Sequence, residues 1–502
     1  MRQGAVGLGV SLLAICWSGG SQAALTCPDI EQYLMDKAKG VVCQDLADLR
    51  ATGPTAASAL PLPPVTPPNN SITYPDGTPI PAFGITSATD PTVISLAPTP
   101  TTDPVPGIQV TGWFADDPTG QARFLLRFPS NWNGKLVVAG SSGTRSEFNG
   151  DWAWSNYVLP KGYAYASQNK GVLNFFLSSS ADPLGCRLNP SSGTFVHFYD
   201  NNADKPFTQR TYYMLHTASL AKKAVKVAYG QPARRTYAVG TSNGGYQVRR
   251  AIEEGPDLFD GGVDWEGTSI NPNGANLLTE LPAALKNFPG YVLSDYNPNS
   301  PEAQAIRAAG YPEDIVVRNP ATGAVTDSLW FRYNLQYWEV TMCQWQKRFD
   351  PTYPTYSAGL GEYDYAQRKS VPGVYADLAA VQTTGKIKKP LVAVAGTMDA
   401  LLPIKTHARG YEDAVNASRK GNNDKRNAQF RLYEVQNGNH IEGYTVLFPQ
   451  LKLIQPHAQR AFDLMVQHVE NNVPLPPSQC IPVNGSISAT PDQPGHCAKL
   501  LE

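Results

Sequence analysis

Three residues set far apart in the chain could together cleave an acyl bond: Ser242 in Gly240-Thr241-Ser242-Asn243-Gly244, Asp399 and His440. A serine hydroxyl is a poor nucleophile until a histidine takes its proton and a carboxylate holds that histidine in the right tautomer. The Gly-x-Ser-x-Gly spacing follows a short apolar run, Arg234 to Val239. It leads at once into a segment whose Val248, Ala251 and Ile252 share a helical face and which stops at Gly255-Pro256. A serine on so tight a strand-to-helix turn holds strained backbone angles. Glycines two residues before and after it remove the Cβ atoms that would clash. A helix starting near Gly244 would aim its free N–H groups at developing negative charge.

The acid and the base are sought after strands downstream of the serine. Asp399 follows the apolar run Leu391 to Ala395 and a turn, and His440 follows Phe430 to Val435 through Gln436-Asn437-Gly438-Asn439. The alternative acids are Asp264 and Glu266, after the apolar run ending at Val263. Among the other histidines, His216, His407, His457 and His468 lie in helical patterns and His197 precedes the serine motif. Attack on an ester creates a negative oxygen, and backbone N–H donors placed for it are worth about 3–4 kcal/mol each. Asn243 is expected to give one, and Ser141 or Ser142 in Gly140-Ser141-Ser142-Gly143 the other.

These residues need a scaffold. Ile108 to Phe114, Ala122 to Phe128, Lys135 to Ala139 and Tyr163 to Ser167 read as strands, and Thr208 to Tyr229 as a long helix feeding the serine strand. A helix from about Ile404 to Ala417 and a last one carrying Ala458, Phe462, Met465 and Val469 follow. Strands alternating with helices predict a doubly wound, mostly parallel α/β sheet. The chain order serine, acid, histidine is that of the α/β-hydrolase fold. The expected organisation is a signal peptide at 1–23, a Pro-rich arm at 24–106, a core at 107–270 and 387–475, an inserted lid at 271–386 and a tail at 476–502. The lid is expected because 271–386 breaks the β/α rhythm and concentrates large aromatics; Trp330, Trp338 and Trp345 are the candidates for lining a substrate pocket beneath it.

Composition narrows the class. Arg2 precedes the apolar run Val6 to Trp17, and Ser21-Gln22-Ala23 is a small-residue cleavage pattern, so an exported, secreted or periplasmic protein is expected. Without residues 1–23 the chain carries 40 basic and 42 acidic residues, a balance that points to no nucleic-acid partner. No other stretch has the ~18 apolar residues of a membrane span. Loss of Cys16 with the signal leaves six cysteines, an even number suited to disulfides. Cys27 with Cys43 and Cys480 with Cys497 are close enough to be local staples at the two ends, while the partner of Cys186 and of Cys343 stays open. Residues 51–110 hold 14 of the 43 prolines and are expected to wrap the surface in extended form.

The motifs Asn131-Trp132-Asn133-Gly134-Lys135, Gly162-Tyr163-Ala164, Gly240-x-Ser242-x-Gly244-Gly245-x-Gln247 and Asp257-x-Phe259-Asp260-Gly261 resemble the tannase and feruloyl esterase family of secreted α/β-hydrolases. The resemblance implies a serine ester hydrolase with a lid inserted between nucleophile and acid. That family commonly carries cysteines beside the nucleophile and the histidine, where this chain has Thr241 and Ile441, and its lid calcium loop is not recognisable here. A looser similarity, to extracellular polyhydroxyalkanoate depolymerases and oligomer hydrolases, rests on the triad and the aromatic-rich insertion. The expected activity is therefore hydrolysis of aromatic (feruloyl or galloyl) or bulky carboxylic esters, with hydroxybutyrate oligomers and then peptides as alternatives. No metal and no cofactor is expected, and the expected partner is a small or oligomeric ester.

Overall fold

The structure, a computed structural model, describes residues 26–50, 103–118, 120, 122–143, 147–148, 150–172, 175–177, 186–189, 194–196, 207–420 and 429–502. The expected signal peptide, most of the Pro-rich arm and His197 lie outside them. Ten strands form one sheet: β1 (Ala38–Leu46), β2 (Gly107–Phe114), β3 (Arg123–Pro129), β4 (Lys135–Gly140), β5 (Ala164–Gln168), β6 (Arg235–Thr241), β7 (Gly261–Trp265), β8 (Leu391–Gly396), β9 (Phe430–Val435) and β10 (Gln479–Ile481). Their order is 1-2-3-5-4-6-7-8-9-10. β1, β2, β3 and β5 pair antiparallel in turn. From β5 to β10 every pairing is parallel.

Successive residues of the central strands point to opposite faces, and both faces are covered. Leu136, Val138, Ala238, Leu391 and Ala393 pack under helices α2 (Thr208–Tyr229), α3 (Asn243–Glu254) and α6 (Ala408–Lys420). Val137, Ala139, Val239, Val392 and Val394 pack on the other face against Phe462 and Met465 of α7 (Gln455–Asn471). This is why these strands read as continuous apolar runs. The topology, with the serine after β6, the acid after β8 and the histidine after β9, is that of the α/β-hydrolase fold.

Two strands differ from the sequence expectation. The segment between Cys27 and Cys43 holds a helix, α1 (Cys27–Leu34), but then continues into β1, which pairs antiparallel with β2. The tail adds β10 beside β9 and then runs behind the site loops. Gln436 Nε2–H donates to the carbonyls of Lys499 (2.9 Å) and Leu500 (3.0 Å), Asn437 Nδ2–H to that of Glu502 (2.9 Å), and the Thr397 hydroxyl to that of Leu500. Three disulfides are present: Cys27–Cys43, Cys480–Cys497 and Cys186–Cys343. The last ties the stretch before α2 to α5 (Glu339–Phe349) of the insertion.

The insertion between β7 and β8 is mostly helical. Its first long helix, α4 (Leu277–Leu293), starts at Asn276, whose side chain accepts from Leu278 N–H (2.9 Å) while Thr279 Oγ1 accepts from Asn276 N–H (3.0 Å). Leu281, Phe288 and Tyr291 of α4 share one apolar core with Trp330, Tyr333, Trp338, Trp345 and Phe349. That core continues into Met398 and Leu402 beside Asp399, and Tyr444 and Phe448 beyond His440. The expectation that Trp330, Trp338 and Trp345 line a pocket is corrected here. Their exposures are 0%, 0% and 3%, so no water-sized space touches the first two. They are apolar filling, and their indoles serve as tethers: Trp330 Nε1–H donates to Pro312 O (3.2 Å) and Trp338 Nε1–H to Ala400 O (2.7 Å).

Candidate active site

Ser242 sits between β6 and α3 with φ +60° and ψ −121°. A non-glycine residue held there costs about 1–3 kcal/mol and persists only where the surroundings over-determine it. They do so here. Ser242 N–H donates to Trp265 O (2.8 Å), and its carbonyl accepts from Tyr246 N–H (3.1 Å). Three glycines let backbones meet around it: a Cβ on Gly240 would lie 2.3 Å from Gly244 O, and one on Gly244 would lie 2.5 Å from Gly140 O. The third of these, Gly140, belongs to β4, so the turn is pressed directly against the neighbouring strand.

The structure brings Ser242, His440 and Asp399 together. His440 Nδ1 is 2.8 Å from Asp399 Oδ2, and its Nε2 is 2.9 Å from Ser242 Oγ. An ionised carboxylate only accepts, so Nδ1 carries the proton and Nε2 is left to receive one from the serine. Asp399 is fixed by Leu401 N–H (2.8 Å) and Leu402 N–H (2.7 Å) on its Oδ1. The two loops also grip each other: Met398 N–H donates to Gly438 O (2.8 Å), and a Cβ on Gly396 would lie 2.3 Å from Gly438 O. Asn439, next to the histidine, accepts from the hydroxyl of Tyr333 in the insertion (2.8 Å).

The alternative acids part company. Asp264 is turned to Arg249 Nε (2.5 Å) and Gly267 N–H (2.7 Å) in a fully buried ion pair, which corrects its candidacy. Glu266 lies close by, its Oε2 3.6 Å from His440 Nδ1. His407, His216 and His468 are engaged elsewhere. His407 is buried, accepting from Ser269 N–H at Nδ1 (2.9 Å) and donating from Nε2 to Glu280 (2.8 Å). His216 meets the Tyr212 hydroxyl (3.0 Å), and His468 Nδ1 the Val473 carbonyl (2.9 Å).

On the opposite side of Ser242, Asn243 begins α3, where a backbone N–H has no carbonyl one turn back to pair with. Ser141 N–H donates to Gln247 Oε1 (2.8 Å), and the hydroxyl of the next residue, Ser142, donates to Thr241 O (2.9 Å). Sequence reasoning missed the clamp that shapes this loop. Gln247 Nε2–H donates to Arg210 O (2.6 Å), Asn243 Nδ2–H to Ser141 O (3.0 Å), and buried Lys170 reaches Ser141 Oγ (3.1 Å) and Ser142 O (2.8 Å). The available signals were Gln247 one turn beyond Asn243, and the polar Gln168-Asn169-Lys170 closing an apolar strand. Thr241, where the resembling family carries cysteine, faces the Trp154 indole N–H at 3.4 Å, and Ile441 packs against the insertion's core.

Among known proteins, residues 359–492 match the family model described as 3HB-oligomer hydrolase. This stretch includes Asp399 and His440 but not Ser242. The D-(-)-3-hydroxybutyrate oligomer hydrolase of Burkholderia thailandensis is 33% identical over 126 residues, which are 24% of this chain and 17% of that protein. That of Burkholderia cenocepacia is 32% identical over 126 residues, again 17% of its length. The chain thus matches under a fifth of the length of these curated relatives. Among solved structures, it is similar to feruloyl esterase B from Aspergillus oryzae (TM-score 0.45, 14% identity, 74% of this chain and 82% of that one). It is also similar to tannin acyl hydrolase from Aspergillus niger (TM-score 0.48, 11% identity, 89% and 87%).

Proposed function

We propose that this chain is an exported serine hydrolase of carboxylic esters, acting on oligomers of short hydroxyalkanoic acids such as 3-hydroxybutyrate. The observation that carries the chemistry is the unbroken chain Ser242 Oγ, His440 Nε2, His440 Nδ1, Asp399 Oδ2, with contacts of 2.9 and 2.8 Å. Ser242 Oγ attacks the ester carbonyl while His440 Nε2 takes its proton; Asn243 and Ser142 N–H groups receive the oxyanion; the protonated His440 gives its proton to the leaving alcohol. Water then repeats the sequence on the acyl-enzyme and frees Ser242. Three disulfides support export to an oxidising compartment, and no helix among the described residues is long and apolar enough to cross a membrane.

The substrate class rests on the match to the 3HB-oligomer hydrolase family over the segment bearing acid and base. The rival reading, an aromatic acyl group, rests on the resemblance of the motifs around Asn131, Gly162 and Ser242 to the tannase and feruloyl esterase family; the burial of Trp330, Trp338 and Trp345 withdraws an aromatic pocket from both readings alike. The test is a substrate panel on wild type and Ser242→Ala: 3-hydroxybutyrate trimer, methyl ferulate, methyl gallate and a peptide p-nitroanilide. Preference for the trimer by at least tenfold in kcat/KM is expected. Preference for the aromatic esters would reverse the substrate reading, and amide cleavage without ester cleavage would replace the class.

A further inference from the structure

His440 faces two carboxyl groups. β7 and β8 are parallel neighbours, and each ends in an acid at the same edge of the sheet: Glu266 one residue past β7, Asp399 three past β8. One oxygen of each and one nitrogen of His440 lie within 4.8 Å of one another. Glu266 is held there by a backbone in the sparsely populated left-handed region, φ +52°. Both acids are buried.

The two are not equivalent. Asp399 receives three N–H donors, from Leu401, Leu402 and His440. Glu266 receives one close donor, from Gly396 N–H to Oε1 (3.1 Å), with the Trp265 side chain also interacting with its carboxyl; its buried Oε2, the atom 3.6 Å from His440 Nδ1, makes no hydrogen bond of normal geometry among the described residues. Two carboxylates this close and this dry do not both ionise, and the proton stays on the one with fewer donors. The groups facing Glu266 from the elements around it are Asp399 and His440 on the two site loops, Glu442 beyond the histidine, and the Tyr333 phenol of the insertion. Burial first, then the charge of Asp399, pushes the Glu266 carboxyl well above its usual range.

We propose that Glu266 is a second positioning carboxyl for His440, resting as the neutral acid while Asp399 is ionised and taking over the Nδ1–H when Asp399 is neutralised. In the absence of the Asp399 charge, the Glu266 proton leaves to solvent and the resulting carboxylate accepts from Nδ1. The site then keeps a base in the correct tautomer. This rests on His440 being the base, as proposed above.

The experiment is a four-enzyme cycle, wild type, Asp399→Asn, Glu266→Gln and the double variant, with kcat/KM measured from pH 5 to 9 on p-nitrophenyl acetate and His440→Ala as control. Without a reserve, Asp399→Asn should cost about 10⁴-fold. With one, it should cost about 10–100-fold, its activity should rise with pH as Glu266 ionises, and adding Glu266→Gln should remove about 100-fold more. Asp399→Ser, a second neutral replacement, keeps the proposal testable if the asparagine variant fails to fold: it should show the same activity rising with pH, lost on adding Glu266→Gln. Additive effects in the cycle, with either replacement, would overturn the proposal while leaving His440 as base. An active His440→Ala enzyme would overturn both.

Discussion

The sheet and the insertion are both held by buried apolar residues, but by different kinds. Around Ser242 the sheet is assembled from small residues, with Gly140, Gly240 and Gly244 bringing backbone against backbone. The insertion is assembled from Trp330, Tyr333, Trp338, Trp345 and Phe349, large rings joined to the site loops through Ala400 and Asn439. The difference teaches that one region creates the reacting geometry and the other holds two of its three loops in place. Removing the Ser242 hydroxyl from the first should therefore cost chemistry at constant stability, and substitutions in the second should cost stability first.

The largest effect is expected at Ser242→Ala, which removes one oxygen from the turn. A fall of about 10⁴–10⁶ in kcat with an unchanged melting temperature is predicted, and retention of a tenth of the activity would place the nucleophile elsewhere. Next comes the double variant Cys186→Ala/Cys343→Ala. The bridge closes a sequence separation of 157 residues, for which the chain-entropy model gives about 5 kcal/mol. Urea titration should show a loss of that order, and a loss under 1 kcal/mol would mean that the insertion stays docked by its apolar core alone.

Trp338→Ala should cost about 3–5 kcal/mol. Since its indole holds Ala400 beside Asp399, activity toward p-nitrophenyl acetate and the hydroxybutyrate trimer should fall in equal proportion. Loss confined to the trimer, at unchanged stability, would turn the insertion back into a substrate-lining lid and break the comparison. The smallest effect concerns Asp314 in the insertion, which accepts from Trp330 N–H (2.8 Å) and the Tyr291 hydroxyl (3.2 Å). Burial pushes its carboxyl up to about 6. The folded chain thus holds a proton that the unfolded chain releases above about pH 4. Its contribution, at most about 3 kcal/mol, is complete below pH 4 and lost as pH rises through 6. Asp314→Asn should flatten the stability profile in that window, as followed by thermal melts; an unchanged slope would assign the pH dependence to another group.

Legibility in the sequence followed the same division. β4, β6 and β8 are buried on both faces, so their residues form largely apolar runs, and β9 is a similar run interrupted by Arg431 and Glu434; the ends of all four are readable to within two positions. Ala38–Leu46 is an edge strand carrying Lys39, Gln44 and Asp45, and its alternation is too broken to be read as a strand. The triad residues stand at strand ends in a recognisable order. The Ser141 N–H, by contrast, is consumed by Gln247 across 106 positions, and the reach of Glu266 depends on one positive φ, neither of which leaves a local trace. The aromatics of 271–386 were visible as a composition, but whether a tryptophan lines a cavity or fills it is decided by contacts far along the chain.

The contacts of Lys499, Leu500 and Glu502 behind Thr397, Gln436 and Asn437 bear on when the molecule becomes competent. Synthesis runs from the amino end, and Ser242 leaves the ribosome some 260 residues before these struts do. Until they arrive, the loops bearing Asp399 and His440 lack the backing that sets them, however complete the nucleophile turn already is. A nascent chain is in this sense a safe one: it carries the Ser242 hydroxyl through translation without a finished base beside it.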